Sequence, residues 1–261
     1  MACSSYVTAY RVVTPINGKR PIFFDINKLE GKAYTELQIP CGKCMNCRLD
    51  RANEWSIRCM HEAKYYDNNC FITLTYNEEN LPYGGTLDHR DWQLFMKRLR
   101  DKTDHKFKFF MCGEYGDKFG RPHYHAILFN YDFADKRYHR TTDKGYKVYT
   151  SELLKSTWKK GKTEIGSVTH ESAGYVASYC TKVVNGEKAD EHYRVNVDGN
   201  VIHRLPEYGR CSNGIGKSFV LDYQSDVYPR DYVLKNGAKV KTPRYYDKVL
   251  EKHNPDRKSV V

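Results

Sequence analysis

The apolar positions change period several times along the chain, and each change marks an element. Tyr6 to Val13, Pro21 to Asp25 and Tyr34 to Ile39 are rich in aromatic and β-branched residues and read as short strands. From about Asn46 to Tyr66 the apolar Leu49, Ala52, Trp55, Cys59, Ala63 and Tyr66 recur at spacings of three and four, which predicts a long helix with one face on a core. Its other face carries Arg48, Arg51, Arg58 and Lys64, in most helices a solvated surface and in a minority a DNA track. Cys70 to Tyr76 is a dense β-branched and aromatic run bounded by Asp-Asn-Asn and Asn-Glu-Glu-Asn, the pattern of a central strand. After a turn at Pro82 to Gly85, Asp88 is placed to cap a helix whose Trp92, Phe95, Met96 and Leu99 fall at i, i+3, i+4 and i+7. Phe107 to Gly113 and His123 to Phe129 read as two strands joined by a short Gly-bearing loop. That hairpin sets Glu114 beside His123.

Residues 136–162 read as a polar, basic loop followed by a short helix through Leu153, Leu154 and Trp158. The run holds Arg140, Lys144, Lys147, Lys159, Lys160 and Lys162 among its cations, and each can release counterions on contact with a phosphate. Glu164 to Thr169 is a strand candidate, and Glu171 to Val184 a helix. At about 100° per residue, Ala173, Val176, Ala177, Cys180 and Val184 form one apolar side of that helix. Tyr175, Tyr179 and Lys182 cluster on another side, more than about 90° away. The apolar stripe accounts for packing, which leaves the tyrosine face for an interface or for chemistry. Further on, Asp198-Gly199 and Asn236-Gly237 sit between β-rich residues and signal two hairpins with two-residue turns. Gly214 to Ser218 is similar to a phosphate loop, but Cys211 stands where the required earlier glycine would be. No nucleotide-hydrolysis motif is expected.

Composition narrows the class of partner. The chain has 261 residues, 40% of them hydrophobic, enough for one large domain or two small ones. A formal net charge of +11 favours a polyanion. Nucleic acid is preferred to a membrane surface, because no basic amphipathic segment or lipidation signal is visible. The 22 tyrosines suit stacking on unpaired bases. No apolar run approaches membrane-spanning length and the first residues lack a signal-peptide pattern, so a cytosolic location is expected. Nine cysteines, an odd number, argue against a disulfide framework there.

Two clusters carry metal-binding chemistry. His123 and His125 lie two apart on a strand, so their imidazoles project from one face and can hold one ion. Cys41-Gly-Lys-Cys44-Met-Asn-Cys47 can present thiolates to one zinc or to an iron–sulfur cluster. Cys59, on the following helix, or a more distant cysteine would be the fourth ligand. Reduced thiols packed against a helix start fit the same spacing.

The order Phe71-Ile-Thr-Leu-Thr, His-Tyr-His, then Tyr-x-x-x-Tyr-x-x-Lys resembles the three motifs of the two-tyrosine HUH endonucleases, the rolling-circle replication initiators. It is similar above all to the replication initiation proteins of microviruses of the gokushovirus type. Pro-Cys-Gly-Lys-Cys-Met-Asn-Cys-Arg, Cys-Gly-Glu-Tyr-Gly, Gly-Tyr-Val-Ala-Ser-Tyr-Cys-Thr-Lys and Pro-Arg-Tyr-Tyr-Asp-Lys all match that family, spanning about Pro40 to Lys248.

The resemblance implies an α+β fold, a central antiparallel sheet with flanking helices, the histidines on a middle strand and the tyrosine helix across them. Around that core at residues 67–185 would lie a Cys-containing N-terminal region, 1–66, and a hairpin-rich extension, 186–261. By the same resemblance His123, His125 and Glu114 would ligate Mg²⁺ or Mn²⁺, with Asp117 a nearby alternative to Glu114. Tyr175 and Tyr179 would be nucleophiles on origin DNA, single-stranded or supercoiled, and Lys182 would assist them. Arg121, Lys159 and Lys160 are candidate DNA contacts. A host helicase would unwind the duplex in the cytoplasm of an infected bacterium. Two rivals remain open: a non-catalytic basic DNA-binding module with structural zinc, and a metal-dependent nuclease that uses water.

Overall fold

A computed structural model describes residues 3–253 apart from 118, 180, 181, 185 and 229, and for Tyr179 the backbone alone. The chain divides into two compact units, the first ending at Arg51 and the second beginning at Ala52. In the first, β1 (Val7–Val12), β2 (Ile22–Phe23) and β3 (Tyr34–Ile39) form an antiparallel sheet in the order β2-β1-β3. The β1–β3 ladder runs from Val7↔Ile39 to Val12↔Tyr34. All three strands stand where the sequence pattern places them. The core of this unit is thin, with Ala9, Val12 and Leu29 its buried apolar side chains among the described residues.

Helix α1 (Met45–Ala63) follows, and the division between the units falls inside it rather than after residue 66. The next elements are β4 (Asn69–Thr75), α2 (His89–Thr103), β5 (Lys108–Tyr115) and β6 (Pro122–Phe129). Then come β7 (Arg137–Thr141), β8 (Lys147–Thr150), α3 (Glu152–Trp158), β9 (Thr163–Gly166) and α4 (His170–Tyr179). The C-terminal part adds α5 (Lys188–Tyr193), β10 (Arg194–Val197), β11 (Asn200–His203), β12 (Tyr208–Cys211), α6 (Lys217–Asp222) and α7 (Gln224–Val227). It ends in the β13 (Tyr232–Lys235) and β14 (Ala238–Lys241) hairpin and α8 (Arg244–His253).

Seven strands make the central sheet in the order β12-β5-β6-β4-β9-β8-β7, every neighbouring pair antiparallel. Strand alternation gives it two apolar faces. Tyr124, Ala126 and Leu128 of β6, with Ile72 and Leu74 of β4, pack with Trp92, Phe95 and Leu99 of α2 and Trp158 of α3. The opposite residues, Ile127 and Phe129 of β6 with Phe110 and Cys112 of β5, pack with Ala52 and Cys59 of α1 and Ala173, Val176 and Ala177 of α4. Asp88 caps α2 as its position predicts, accepting from Arg90 N at 2.8 Å. Asp198 and Asn236 adopt positive φ before glycine, the backbone of the two-residue turns expected there.

Three expectations give way. Residues 137–150, read as loop, form the β7–β8 hairpin at the sheet edge. Every residue of β7 is exposed, so it carries none of the alternation that reveals a half-buried strand. The tyrosine helix stops at Tyr179 instead of running to Val184, and Cys180, one of its expected apolar positions, lies outside the described residues. Arg58 does not face solvent: its guanidinium lies 4.0 Å from the centre of the Trp55 ring and 3.8 Å from that of Tyr245, and Nε donates to the Ile215 carbonyl.

Candidate functional site

Alternation along β6 puts Tyr124 into the core on one side and His123 and His125 on the other, the side on which α4 packs. The β5–β6 register sets Glu114 opposite His123 and Cys112 opposite His125. From there Glu114 Oε1 reaches His125 Nε2 at 2.8 Å, and Thr73 Oγ1 on β4 lies 3.0 Å from His125 Nδ1. His123 and His125 are parallel within 3°, their centroids 6.1 Å apart. The Nδ1 of His123 stands 2.6 Å from the Arg121 carbonyl. A carbonyl only accepts, so Nδ1 carries the proton and Nε2 keeps its lone pair. The ring needs Gly116 beside it, since a Cβ there would come within 2.9 Å of His123 Cε1.

Burial dominates the electrostatics. It pushes the Glu114 carboxyl up to about 8, against the pull of the Lys182 and His123 charges. It lowers His125 to about 4 and lowers His123 as well. Both imidazoles are therefore neutral at physiological pH, the form that donates a lone pair to a metal. Glu114 Oε2 is buried and has no hydrogen-bond partner among the described residues. A buried carboxylate oxygen short of a partner, next to two neutral imidazoles, fits a divalent cation. The three side chains are not drawn tightly together, however. Among the described residues, the four cysteines discussed below are the one group of three or more candidate ligands whose atoms all lie within 4.8 Å of one another.

Helix α4 buries Ala173, Val176 and Ala177, which turns Tyr175 away from the core and leaves it 43% exposed. Its ring meets His125 edge-on, with centroids 5.2 Å apart, and also meets Phe71 edge-on at 6.4 Å. Tyr179 ends the helix one turn further on, and the placement of its side chain lies outside the described residues. Lys182 follows, with Nζ 3.2 Å from Asp117 Oδ1 in the β5–β6 loop. Asp117 is thus paired with Lys182 on the surface, and Glu114 is the carboxylate held against the histidines.

These groups line one cavity of about 800 Å³. Tyr175, His123, His125 and Glu114 share it with Arg140, Lys144 and Lys147 from the β7–β8 hairpin and with Lys162. The candidate contacts chosen from sequence stand elsewhere. Arg121 donates to the Tyr76 carbonyl and pairs with Glu78, and Lys160 pairs with Asp91 at 3.1 Å. Lys159 forms the left-handed C-cap of α3. None of the three lines the cavity. Thr73 and Glu164, which pairs with Arg140 at 2.8 Å, belong to the site without having been singled out. The signal for Thr73 is register alone, since β4 sets it opposite His125.

The cysteine group also differs from expectation. Cys41, Cys44 and Cys47 do converge, but the fourth member is Cys3. Cys59 is fully buried among apolar side chains of the second unit. Its place in the i, i+4 stripe of α1 fills a core position and removes it from the cluster. Among the described residues no helix is long and apolar enough to cross a membrane.

Residues 69–184, which contain the two histidines, Glu114, Tyr175, Tyr179 and Lys182, match the family described as replication-associated protein ORF2. Replication-associated protein VP4 of Bdellovibrio phage phiMH2K is 36% identical over 251 residues, covering 92% of this chain and 76% of the relative. Replication-associated protein ORF2 of Spiroplasma virus 4 is 34% identical, covering 89% and 73%. Replication-associated protein ORF4 of Chlamydia phage 1 is 28% identical, covering 88% and 57%. No solved structure matches. With the first two relatives aligned over most of both chains, the protein belongs to the phage replication-associated proteins, the rolling-circle replication initiators of microviruses.

Proposed function

We propose that this initiator nicks one strand of its origin DNA with a tyrosine hydroxyl and holds the 5′ end as a phosphotyrosine. The observation that supports this reading is the shared cavity, where an exposed tyrosine, two neutral histidines, a buried carboxylate and a lysine-rich wall face one space. Lys144, Lys147 and Lys162 hold the phosphates of a single strand, whether unpaired or extruded from supercoiled DNA. The Tyr175 oxygen attacks the scissile phosphorus as its proton leaves. The P–O3′ bond breaks, and the departing oxygen takes up a proton to become the 3′-hydroxyl that primes synthesis. A Mg²⁺ or Mn²⁺ ion held by His123, His125 and Glu114 supplies positive charge at a non-bridging phosphate oxygen. Imidazole with carboxylate suits Mn²⁺ better than the harder Mg²⁺. Lys182, next to Asp117 at the loop, stabilises negative charge as it develops. Tyr179, one turn along the same helix, is the second nucleophile, so one tyrosine holds the old end while the other cuts the new origin. The phosphodiester energy is conserved in the adduct, and unwinding falls to a helicase of the bacterial host, in its cytoplasm.

The test is covalent capture. Labelled single strands carrying the origin are incubated with protein and Mn²⁺, then denatured, and label should remain on the protein. Tyr175→Phe and Tyr179→Phe should each leave some cleavage. The double variant should form no adduct yet still bind DNA. Cleavage without an adduct would make water the nucleophile, and no cleavage by any form would leave a binding module.

A further inference from the structure

The geometry points to a structural zinc site in which Cys3, Cys41, Cys44 and Cys47 hold one Zn²⁺ as four thiolates. The sulfurs of Cys3 and Cys41 stand 3.6 Å apart and those of Cys3 and Cys44 3.8 Å, and all four sulfurs lie within 4.8 Å of one another. Sulfurs at the corners of a tetrahedron with Zn–S bonds of about 2.3 Å are about 3.8 Å apart. A disulfide would need a separation of about 2.05 Å. The cluster therefore has the spacing of a metal site.

The backbone supports the thiolate form. Ser5 N and Cys41 N both point at Cys3 Sγ, at 3.4 and 3.3 Å, and Lys43 N and Cys44 N point at Cys41 Sγ, at 3.4 and 3.3 Å. Such N–H···S contacts favour the charged sulfur. The turn that aims two amides at Cys41 passes through Gly42 at φ 71°, in the left-handed region open to glycine.

Sheet register explains why Cys3 is the fourth ligand. The β1–β3 ladder ends at Val7↔Ile39, and each step outward moves the two chains in opposite directions. Continuing that register sets Cys3 opposite Lys43, between Cys41 and Cys44. A metal there clamps the segment before β1 to the turn after β3. The unit needs such a clamp, because Ala9, Val12 and Leu29 are its buried apolar side chains among the described residues. A sheet with so small a core is of the kind that a structural metal stabilises.

The test uses the full chain without DNA, so it stands apart from the nicking assay. Protein purified from zinc-containing medium should carry about one zinc per chain by elemental analysis, with no visible absorbance. Cys59→Ser should keep the metal and Cys3→Ser should lose it. Because Cys3→Ser could fail to fold, the unaltered chain is also alkylated and the labelled cysteines mapped. Cys3, Cys41, Cys44 and Cys47 should resist until a chelator is added, while exposed Cys211 reacts throughout. Bound iron with a chromophore, a metal-free disulfide, zinc lost from Cys59→Ser, or Cys3 reacting as fast as Cys211 in the zinc-loaded protein would each overturn the proposal.

Discussion

The Tyr175 ring meets the His125 ring edge-on, their centroids 5.2 Å apart and their planes at 83°. Phe71 stacks on the same imidazole, 5.8 Å away and within 10° of parallel. Tyr175 thus has a packing role and, in the proposed reaction, a chemical one. Two substitutions separate them. Tyr175→Phe should keep the ring contacts and change stability by less than about 0.5 kcal/mol, while label no longer attaches at residue 175. Tyr175→Ala should lose the adduct there and also about 0.5–1.5 kcal/mol of aromatic contact, visible as a lower melting temperature. A full adduct at residue 175 is impossible in either variant, so mapping the labelled peptide tells which tyrosine reacts.

Glu114 is the carboxylate whose burial and unpartnered Oε2 fit a cation. Glu114→Gln keeps the shape and a hydrogen-bonding oxygen but not the charge. The Mn²⁺ concentration needed for half-maximal cleavage should rise on the order of 100-fold, with melting in chelator unchanged or higher. An unchanged metal requirement would remove Glu114 from the ligand set.

The basic wall of the cavity makes a prediction about salt. Lys144→Gln, Lys147→Gln and Lys162→Gln should each weaken binding to single strands regardless of sequence. Each should also reduce the slope of log affinity against log salt by about 0.7. Lys159→Gln lies away from the cavity and should leave the slope alone. Equal effects from Lys159 and Lys147 would move the DNA path off this surface.

His61 links stability to pH. It is buried, with Nδ1 2.8 Å from the Tyr246 hydroxyl, and burial lowers it to about 3, with the Lys64 and His170 charges adding to the shift. The unfolded chain therefore takes up a proton at this residue near pH 6.5 while the folded chain does not. Its contribution is fully present above pH 6.5 and is lost progressively as pH falls toward 3, a change on the order of a few kcal/mol. His61→Gln retains a partner for Tyr246 without titrating. Urea unfolding between pH 7 and 4 should show a flatter pH dependence in that variant, and identical slopes would place the acid sensitivity elsewhere.

Local pattern was enough for much of this protein. Alternation around Tyr124 dictates that His123 and His125 share a face, and the stripe of Ala173, Val176 and Ala177 dictates that Tyr175 turns away from the core. The Asp88 cap and the Asp-Gly and Asn-Gly turns depend on neighbouring residues alone, so they too were legible. Register and long-range pairing decided the rest. Thr73 joins His125 because β4 pairs with β6 in one alignment out of several that the same sequences permit. Cys3 replaces Cys59 because the β1–β3 ladder carries it to the cysteine turn, while Cys59 satisfies the apolar stripe of α1. The β7–β8 hairpin escaped notice because an edge strand exposed on every residue has no hydrophobic period, yet it brings Arg140, Lys144 and Lys147 to the cavity. Arg121 and Lys160 looked like open cations until folding brought Glu78 and Asp91 to them. Periodicity specifies which side of an element is buried, and only the closed sheet specifies which residue of another element waits there.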